Sequence, residues 1–557
     1  MDLFATLLDR LVITPQRNRK ISLLAGYFSA APDPDRGYAL ACLTDGLPLK
    51  ISWRRTLLEL VAERSDPVLY KLSRDYIGDT AETVALLWPD APIVGAAPRL
   101  GDVVAAFRDS HRSRHPALIA AHLDALDARG RWAFLKLLGG APRAGVSARL
   151  AKVALAEWSG HDVAEIEEVW HALQPPYEPL FNWLEGRGAR PDPGAVPVFR
   201  PVMLAHPIED ADWAGFTAAD YVAEWKWDGI RVQVSAKPGD VRLFSRAGDD
   251  ISLAFPEVRS SFLGRDVVAD GELLVIRNGI VAPFNDLQQR LNRKTVSAKM
   301  LKDHPAHVRL YDLLIDGGED LRGLPFMDRR KRLEAWHNAH PPRATDVSEL
   351  VPFTSREDLD AIWSQTRASA IEGLMLKRRD SAYLAGRVKG QWWKWKRSAL
   401  TLDCVLMYAQ RGSGKRSSFY SDYTFGVWKP VATETTTDPN AVVAAGPDVG
   451  AGADADTGQT TRAAELVPVG KAYSGFTDAE LKDLDRWIRQ NTTEKFGPVR
   501  AVAPGLVLEV AFDAVHRSAR HKSGVAMRFP RIHRIRWDKP ATEADRLDTV
   551  MALIDGG

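Results

Sequence analysis

The chain has 557 residues, 45% of them hydrophobic, with 74 Lys+Arg against 72 Asp+Glu. That length supports roughly two to four domains and excludes a short binding module, and the near balance of charge means that any nucleic-acid surface must come from local clustering. Two cysteines, Cys42 and Cys404, exclude a disulfide framework and a four-cysteine zinc site and suit a reducing cytosol.

The segment Met1-Asp2-Leu3 opens no basic and apolar leader, and no apolar run reaches membrane-spanning length, so a cytoplasmic protein without a membrane partner is expected. The first 190 residues read as helical. Leu3, Leu7, Leu8 and Leu11 share one helical face, as do Ile119, Leu123 and Leu126, and then Val163, Ile166, Val169, Trp170 and Leu173. Between the last two lies Leu138-Gly-Gly-Ala-Pro-Arg143-Ala-Gly-Val-Ser147, an interhelical turn with a helix start behind it. The run Gly186 to Gly194, rich in Gly, Pro and Arg, breaks all periodicity and predicts a linker.

Beyond the linker the period shifts towards two. Ile230, Val232 and Val234 alternate with Arg231 and Gln233, and apolar runs at Val267-Val268, Leu273 to Ile276 and Leu374 to Leu376 predict strands of an α+β domain over 199–400. From 401 to 557, the alternations Leu402, Cys404, Leu406, Tyr408 and Leu506, Leu508, Val510, Phe512 predict a small β-barrel. Inside it, Val431 to Ala463 carries too few large apolar residues to join a core and is expected to be a disordered insertion. No internal repeat is present.

The run Glu224-Trp225-Lys226-Trp227-Asp228-Gly229-Ile230-Arg231 concentrates chemistry. A free lysine titrates near ~10.4, so about one molecule in two thousand is nucleophilic at neutral pH. Activation of Lys226 is expected from burial between the two tryptophans and from a nearby cation.

This Lys-x-Asp-Gly-x-Arg pattern resembles motif I of the covalent nucleotidyltransferases, the superfamily of ATP-dependent DNA ligases, RNA ligases and capping enzymes. The resemblance implies that Lys226 attacks the α-phosphate of a nucleotide, and that Glu224 accepts a hydrogen bond from an adenine amino group. Further motifs follow in the order of a DNA ligase. Leu243 to Gly248 resembles motif Ia, whose arginine, here Arg246, meets a nucleotide or DNA phosphate; by itself it would be a surface charge. Val268 to Leu273 resembles motif III, which implies a ribose or metal role for Glu272, although Asp270-Gly271 also reads as a hairpin turn. Val308 to Leu314 resembles motif IIIa and implies that Tyr311 stacks on adenine; a core tyrosine is the alternative.

Ile371 to Lys377 resembles motif IV, whose glutamate, here Glu372, helps hold a divalent ion. Gln391 to Lys396 resembles motif V, with Lys394 and Lys396 on one strand face towards the α-phosphate. Arg387 stands just upstream, near the place of a phosphate-binding arginine in many ligases. Met527 to Lys539 resembles motif VI, implying that Arg536 and Lys539 orient the β- and γ-phosphates.

The family thus implied is the ATP-dependent DNA ligases with an N-terminal DNA-binding domain, as found in bacteria and archaea. It implies three domains: an all-α DNA-binding domain over 1–190, an α+β nucleotidyltransferase domain over 199–400, and an OB-fold over 401–557 with its insertion near 431–463. Arg143 and Ser147 are the residues implied to meet DNA phosphates. ATP and Mg2+, with Mn2+ as a substitute, are the implied cofactors, ligated at Glu272 and Glu372. Nicked double-stranded DNA is the implied partner of a monomer that is cytoplasmic and nucleoid-associated, with repair nucleases or helicases as further partners. An RNA ligase or capping enzyme would share Lys226 but not the large helical domain. A non-catalytic DNA clamp would not need every charge of the pocket. The scarcity of cysteine disfavours the NAD-dependent ligases with their zinc module.

Overall fold

A computed structural model describes residues 1–47, 49, 51, 53–90, 97–140, 142–291, 293–364, 371–396, 399–412, 420–430, 464–473, 475, 478–519 and 521–555. The chain divides into two compact units, Met1–Tyr70 with Ala81–Arg397, and Lys71–Thr80 with Ser398–Gly557.

Up to Leu184 the described elements are helical. Asp2–Ile13 buries Phe4, Leu7, Leu8 and Leu11, so the apolar face is led by Phe4, and Leu3 lies 51% exposed beside it. His115–Asp124 buries Ile119 and Leu123 as their spacing predicts. Helix α1 (Ala148–Ser159) begins at Ser147, whose hydroxyl accepts from the Leu150 N–H at 3.2 Å, and ends at Gly160 in the left-handed region. Helix α2 (Val163–Trp170) is capped by Asp162 in the same way.

The sheet part holds two large sheets and a two-stranded parallel one, Met203–Leu204 with Gly386–Arg387. Strand β1 (Tyr221–Trp227) lies in a five-stranded sheet, and β2 (Ile230–Lys237), β3 (Asp240–Ser245), β4 (Val267–Arg277) and β5 (Ala306–Asp316) lie in a seven-stranded one. Strand order in the larger is Thr345–Val347, β5, β4, β2, β3. The smaller runs Leu350–Val351, β1, β6 (Ile371–Arg378), β7 (Trp392–Lys396), His206–Pro207. The two residues Asp228-Gly229 therefore carry the chain from one sheet to the other. A Cβ on Gly229 would stand 2.4 Å from the Leu273 carbonyl oxygen, so only glycine lets the crossover lie this close to β4. Asp270-Gly271 is not a hairpin turn: both residues sit inside β4, between β2 and β5.

Alternation gives the five-stranded sheet two different faces. Ala223, Trp225, Leu374, Leu376, Trp393 and Trp395 belong to one apolar cluster with Leu359, Ile362 and Trp363 of helix Arg356–Ser364. Glu224, Lys226, Lys377, Lys394 and Lys396 take the other face.

The residues on either side of Gly186 to Gly194 lie in the same compact unit. Glu168 receives Arg322 at 2.7 Å, Arg190 at 3.0 Å and Arg200 at 3.2 Å. The His171 ring lies 4.4 Å from that of Phe244 on β3.

The second unit is built on an antiparallel sheet of β8 (Leu400–Arg411), β9 (Tyr420–Pro430), β10 (Ala464–Ala472), β11 (Thr492–Phe496), β12 (Val499–Val502), β13 (Val507–Phe512) and β14 (Arg531–Arg536). Leu402, Cys404, Leu406, Leu506, Leu508, Val510 and Phe512 are buried in its core, and helix Asp478–Gln490 adds Leu484 and Ile488. The expected insertion, Val431 to Ala463, lies outside the described residues; its flanks pair directly, Pro430 opposite Ala464. Cys42 and Cys404 are both buried and free. Among the described residues no helix is long and apolar enough to cross a membrane.

Candidate active site

Lys226 is the last residue but one of β1, on its polar face, two positions before Asp228 of the crossover. Opposite it, β6 carries a bulge between Ile371 and Gly373, and Gly373 pairs with Lys226 on one side and Lys396 on the other. A Cβ at Gly373 would stand 2.0 Å from the Trp395 carbonyl oxygen, and its φ of +146° is one that side chains rarely adopt. The bulge turns Glu372 between the two lysines. Its Oε2 lies 2.6 Å from Lys226 Nζ and 2.9 Å from Lys396 Nζ. Burial opposes ionisation of Glu372, but the two ammonium groups outweigh it and hold the carboxyl down at about 2.

The tryptophans do not wall the lysine as its neighbours in sequence suggest. Trp225 packs in the apolar cluster on the far face, and Trp227 lies under the Arg309 guanidinium at 4.1 Å. Neighbours one residue apart on a strand point to opposite faces, so the partner Lys226 meets is Glu372.

Glu272, on β4 beside the crossover, behaves oppositely. Burial lifts its carboxyl to about 7 against the pull of Lys226 and Arg231, with Glu372 and Asp228 adding repulsion. The expected pair of carboxylates is thus brought together, one charged and one poised near neutrality. Among the described residues there is no cluster of three or more metal-binding side chains. Two carboxylates still fit magnesium, which fills its octahedron with water and substrate phosphate oxygens.

Cations gather round them. Arg246 stands in the turn after β3, closed by the Ser245 N–H to the Asp249 carbonyl at 2.8 Å and by Gly248 at φ +85°. Burial lowers its pKa, and Arg231, Arg387 and Arg149 lower it further by repulsion. Lys394 is lowered likewise by burial, then by Arg387, Lys396, Arg246 and Lys226. Arg246, Arg387 and Lys394 have no side-chain hydrogen bond or ion pair to a carboxylate among the described residues. A group of uncompensated cations is an anion site. Arg231 is more committed: it donates to the Met203 carbonyl at 2.6 Å, to Tyr383 at 2.9 Å and to Asp270, leaving Nε unpaired.

A second lysine–glutamate pair occupies the same two strands. Glu224, 2% exposed, meets Lys377 Nζ at 2.5 Å with one oxygen and Arg330 at 3.1 Å with the other. Lys377 is caged by the rings of Tyr311, Phe326 and Trp392, each 4.6 to 4.7 Å away. Burial lowers its pKa, partly offset by Glu224. Tyr311 is the extra residue at a register shift between β4 and β5, with Arg231 5.9 Å from its ring. Lys377 and Arg330 are absent from the residues the sequence picks out. The available signal was a lysine ending the apolar run Leu374-Met375-Leu376, which demands a buried acid.

The remaining expected residues lie elsewhere. Arg536 and Lys539, in the second unit, both reach Asp403 of β8, at 3.4 Å and 2.7 Å. Arg143 is exposed with φ +51°; its loop is held by the buried Lys20, which donates to the Ala144 and Gly145 carbonyls at 2.8 and 3.0 Å. Ser147 spends its hydroxyl on capping α1.

Residues 202–396 match the family described as ATP dependent DNA ligase domain, and residues 453–539 match the ATP dependent DNA ligase C terminal region. A probable DNA ligase of Koribacter versatilis is 30% identical over 98% of this chain and 95% of its own length. Another, from Streptomyces griseus subsp. griseus, is 31% identical over 97% of this chain and 96% of its own. Among solved structures, Pmar-Lig_PreS3 is similar in fold, with a TM-score of 0.53 and 15% identity over 96% of this chain and 99% of that one.

Proposed function

This chain belongs to the ATP-dependent DNA ligases, and from that premise we propose which of its residues carry each step. Lys226 is the nucleophile. Its Nζ attacks the α-phosphorus of ATP, the bond to the β-phosphate breaks, and pyrophosphate leaves. The 5′-phosphate of a nick then attacks the lysyl-AMP, breaking the P–N bond, and the 3′-hydroxyl finally displaces AMP to seal the strand. The observation that carries this assignment is the seat of Lys226, at the seam of two sheets with two carboxylates and a group of uncompensated cations around it.

Attack needs a free amine, so Glu372 must exchange its lysine partner as ATP enters. Glu372 and Glu272 would hold magnesium, which supplies charge neutralisation at the reacting phosphorus. Arg246, Arg387, Lys394 and Lys396 take the phosphate oxygens; Arg231 and Tyr311 hold sugar and base, and Glu224 the adenine amino group through its remaining lone pairs. Arg536 and Lys539 orient the β- and γ-phosphates. The helical residues before Gly188 grip nicked duplex through Arg143 and the start of α1, and the C-terminal β region serves as the OB-fold. A monomer and a nucleoid setting accord with this reading.

Incubation with α-labelled ATP, α-labelled GTP or labelled NAD, then with nicked duplex, tests it. Covalent label from ATP alone, discharged by the nick, is the expected result. Label on any residue but Lys226 overturns the assignment.

A further inference from the structure

We infer that Arg149, on the first turn of α1 in the helical part, and Arg246, in the turn after β3 in the sheet part, close as two arms on a single phosphate group. This rests on the ligase reading and adds a residue and a structural part to the site. Three observations carry it.

First, the end of α2 is fixed to β3, the strand that leads into Arg246. Arg242 of β3 donates to the His171 carbonyl at 3.0 Å, just past the end of α2, and the His171 ring lies 4.4 Å from Phe244 of β3 and 6.4 Å from Phe199. Second, Arg149 is loosely committed. It lies 3.8 Å from Glu167, a carboxylate that also faces the buried Lys152 at 4.0 Å, and its side chain is 42% exposed. Lys152, one turn along α1, is itself felt by Asp249 in the same turn. Third, Arg149 is among the cations that repel Arg246, alongside Arg231 and Arg387. Guanidinium groups left in mutual repulsion, at a junction held by the His171–Phe244 ring contact and the Arg242 hydrogen bond to the His171 carbonyl, await an anion that accepts from both. Each planar fork can give two hydrogen bonds to phosphate oxygens.

The ligand is therefore a phosphate, which ATP and the 5′ end of a nick both supply. With the full chain, the KM for ATP in self-adenylation and the Kd for nicked duplex bearing a 5′-phosphate or a 5′-hydroxyl separate these sources. Arg149→Ala is expected to weaken one phosphate-dependent quantity by about tenfold to a hundredfold, and Arg149→Lys to restore only part, since it keeps the charge and loses the fork. Loss confined to the 5′-phosphate nick assigns the nick end; loss in the KM for ATP assigns the nucleotide. In either case Arg149→Ala with Arg246→Ala should cost less than the product of the single losses. Strictly multiplicative losses, full activity of Arg149→Ala in every arm, or equal weakening of phosphate and hydroxyl nicks with an unchanged KM for ATP would overturn the clasp. A wild-type chain that neither takes AMP nor seals would instead overturn the residue assignments on which it stands.

Discussion

Strands β1 and β6 carry two lysine–glutamate pairs of reversed sense. Lys226 on β1 meets Glu372 on β6, while Glu224 on β1 meets Lys377 on β6. The first pair keeps 22% and 20% of its side chains exposed; the second keeps 3% and 2%. The exposed pair shares its carboxylate with Lys396 and can trade partners when phosphate arrives. The buried pair is locked by Arg330 and three rings and has no such freedom. Under the proposed assignment the same chemistry serves reaction in one place and rigidity in the other, and burial makes the difference.

Breaking the comparison at its reactive end should have the largest effect. Lys226→Ala is expected to abolish covalent AMP, a loss of more than about a thousandfold in self-adenylation, while sealing of a pre-adenylated nick persists in part. Gel detection of labelled protein checks the first and strand joining the second.

Lys377→Met leaves Glu224 buried with Arg330 as its remaining cation partner among the described residues, and removing one member of a buried pair costs roughly 3–5 kcal/mol. Denaturant unfolding of the first compact unit reads this directly. A loss below about 1 kcal/mol would mean that the buried pair does not set the pocket.

The double variant Arg536→Ala with Lys539→Ala sharpens the reactive side. It should slow transfer of AMP from ATP by about a hundredfold, some 3 kcal/mol, and affect a pre-adenylated nick far less, because no pyrophosphate departs in that step. Equal losses in the two half-reactions would instead assign these residues to folding.

Glu372→Gln tests the exposed pair by pH. Its carboxyl titrates lower folded than unfolded, so the unfolded chain binds more protons and the pair's contribution is present above about 4.5 and lost as pH falls towards about 2. The variant should be less stable at pH 7 by about 1–2 kcal/mol, after allowance for solvent screening, and its stability should fall less steeply below pH 4.5. Parallel acid curves for variant and wild type would refute the pairing.

Smallest of all, joining Pro430 to Ala464 through a short turn should change stability by less than about 1 kcal/mol, because loop closure varies slowly with length and the two ends already pair. Loss of nick binding in that deletion would show a function for the segment.

Much of this was legible in the sequence because strand alternation is a strong rule. Lys394 and Lys396 share a face with Lys226, as their spacing requires, and β2 and the C-terminal strands β8 and β13 follow their apolar patterns. Alternation also corrects the reading that placed Lys226 between Trp225 and Trp227, since those rings must face away. The bulges were hidden: nothing local distinguishes Glu372 in a bulge from Glu372 in a regular strand, and Asp270-Gly271 has the letters of a turn inside an uninterrupted β4. Partners far apart in sequence were hidden too. Arg330 reaches Glu224 across 106 residues, and Arg242 of β3 reaches the His171 carbonyl, just past α2, across 71.

The short contact between Lys226 and Glu372 also bears on how the protein survives between catalytic events. A cell contains aldehydes and acyl phosphates that capture unprotonated amines. An amine held as one half of an ion pair, with a second lysine pressing on the same carboxylate, is a poor target for them. Under the proposed assignment the bulge at Gly373 thus works as a safety catch, released by a ligand with enough negative charge to draw the lysines off Glu372.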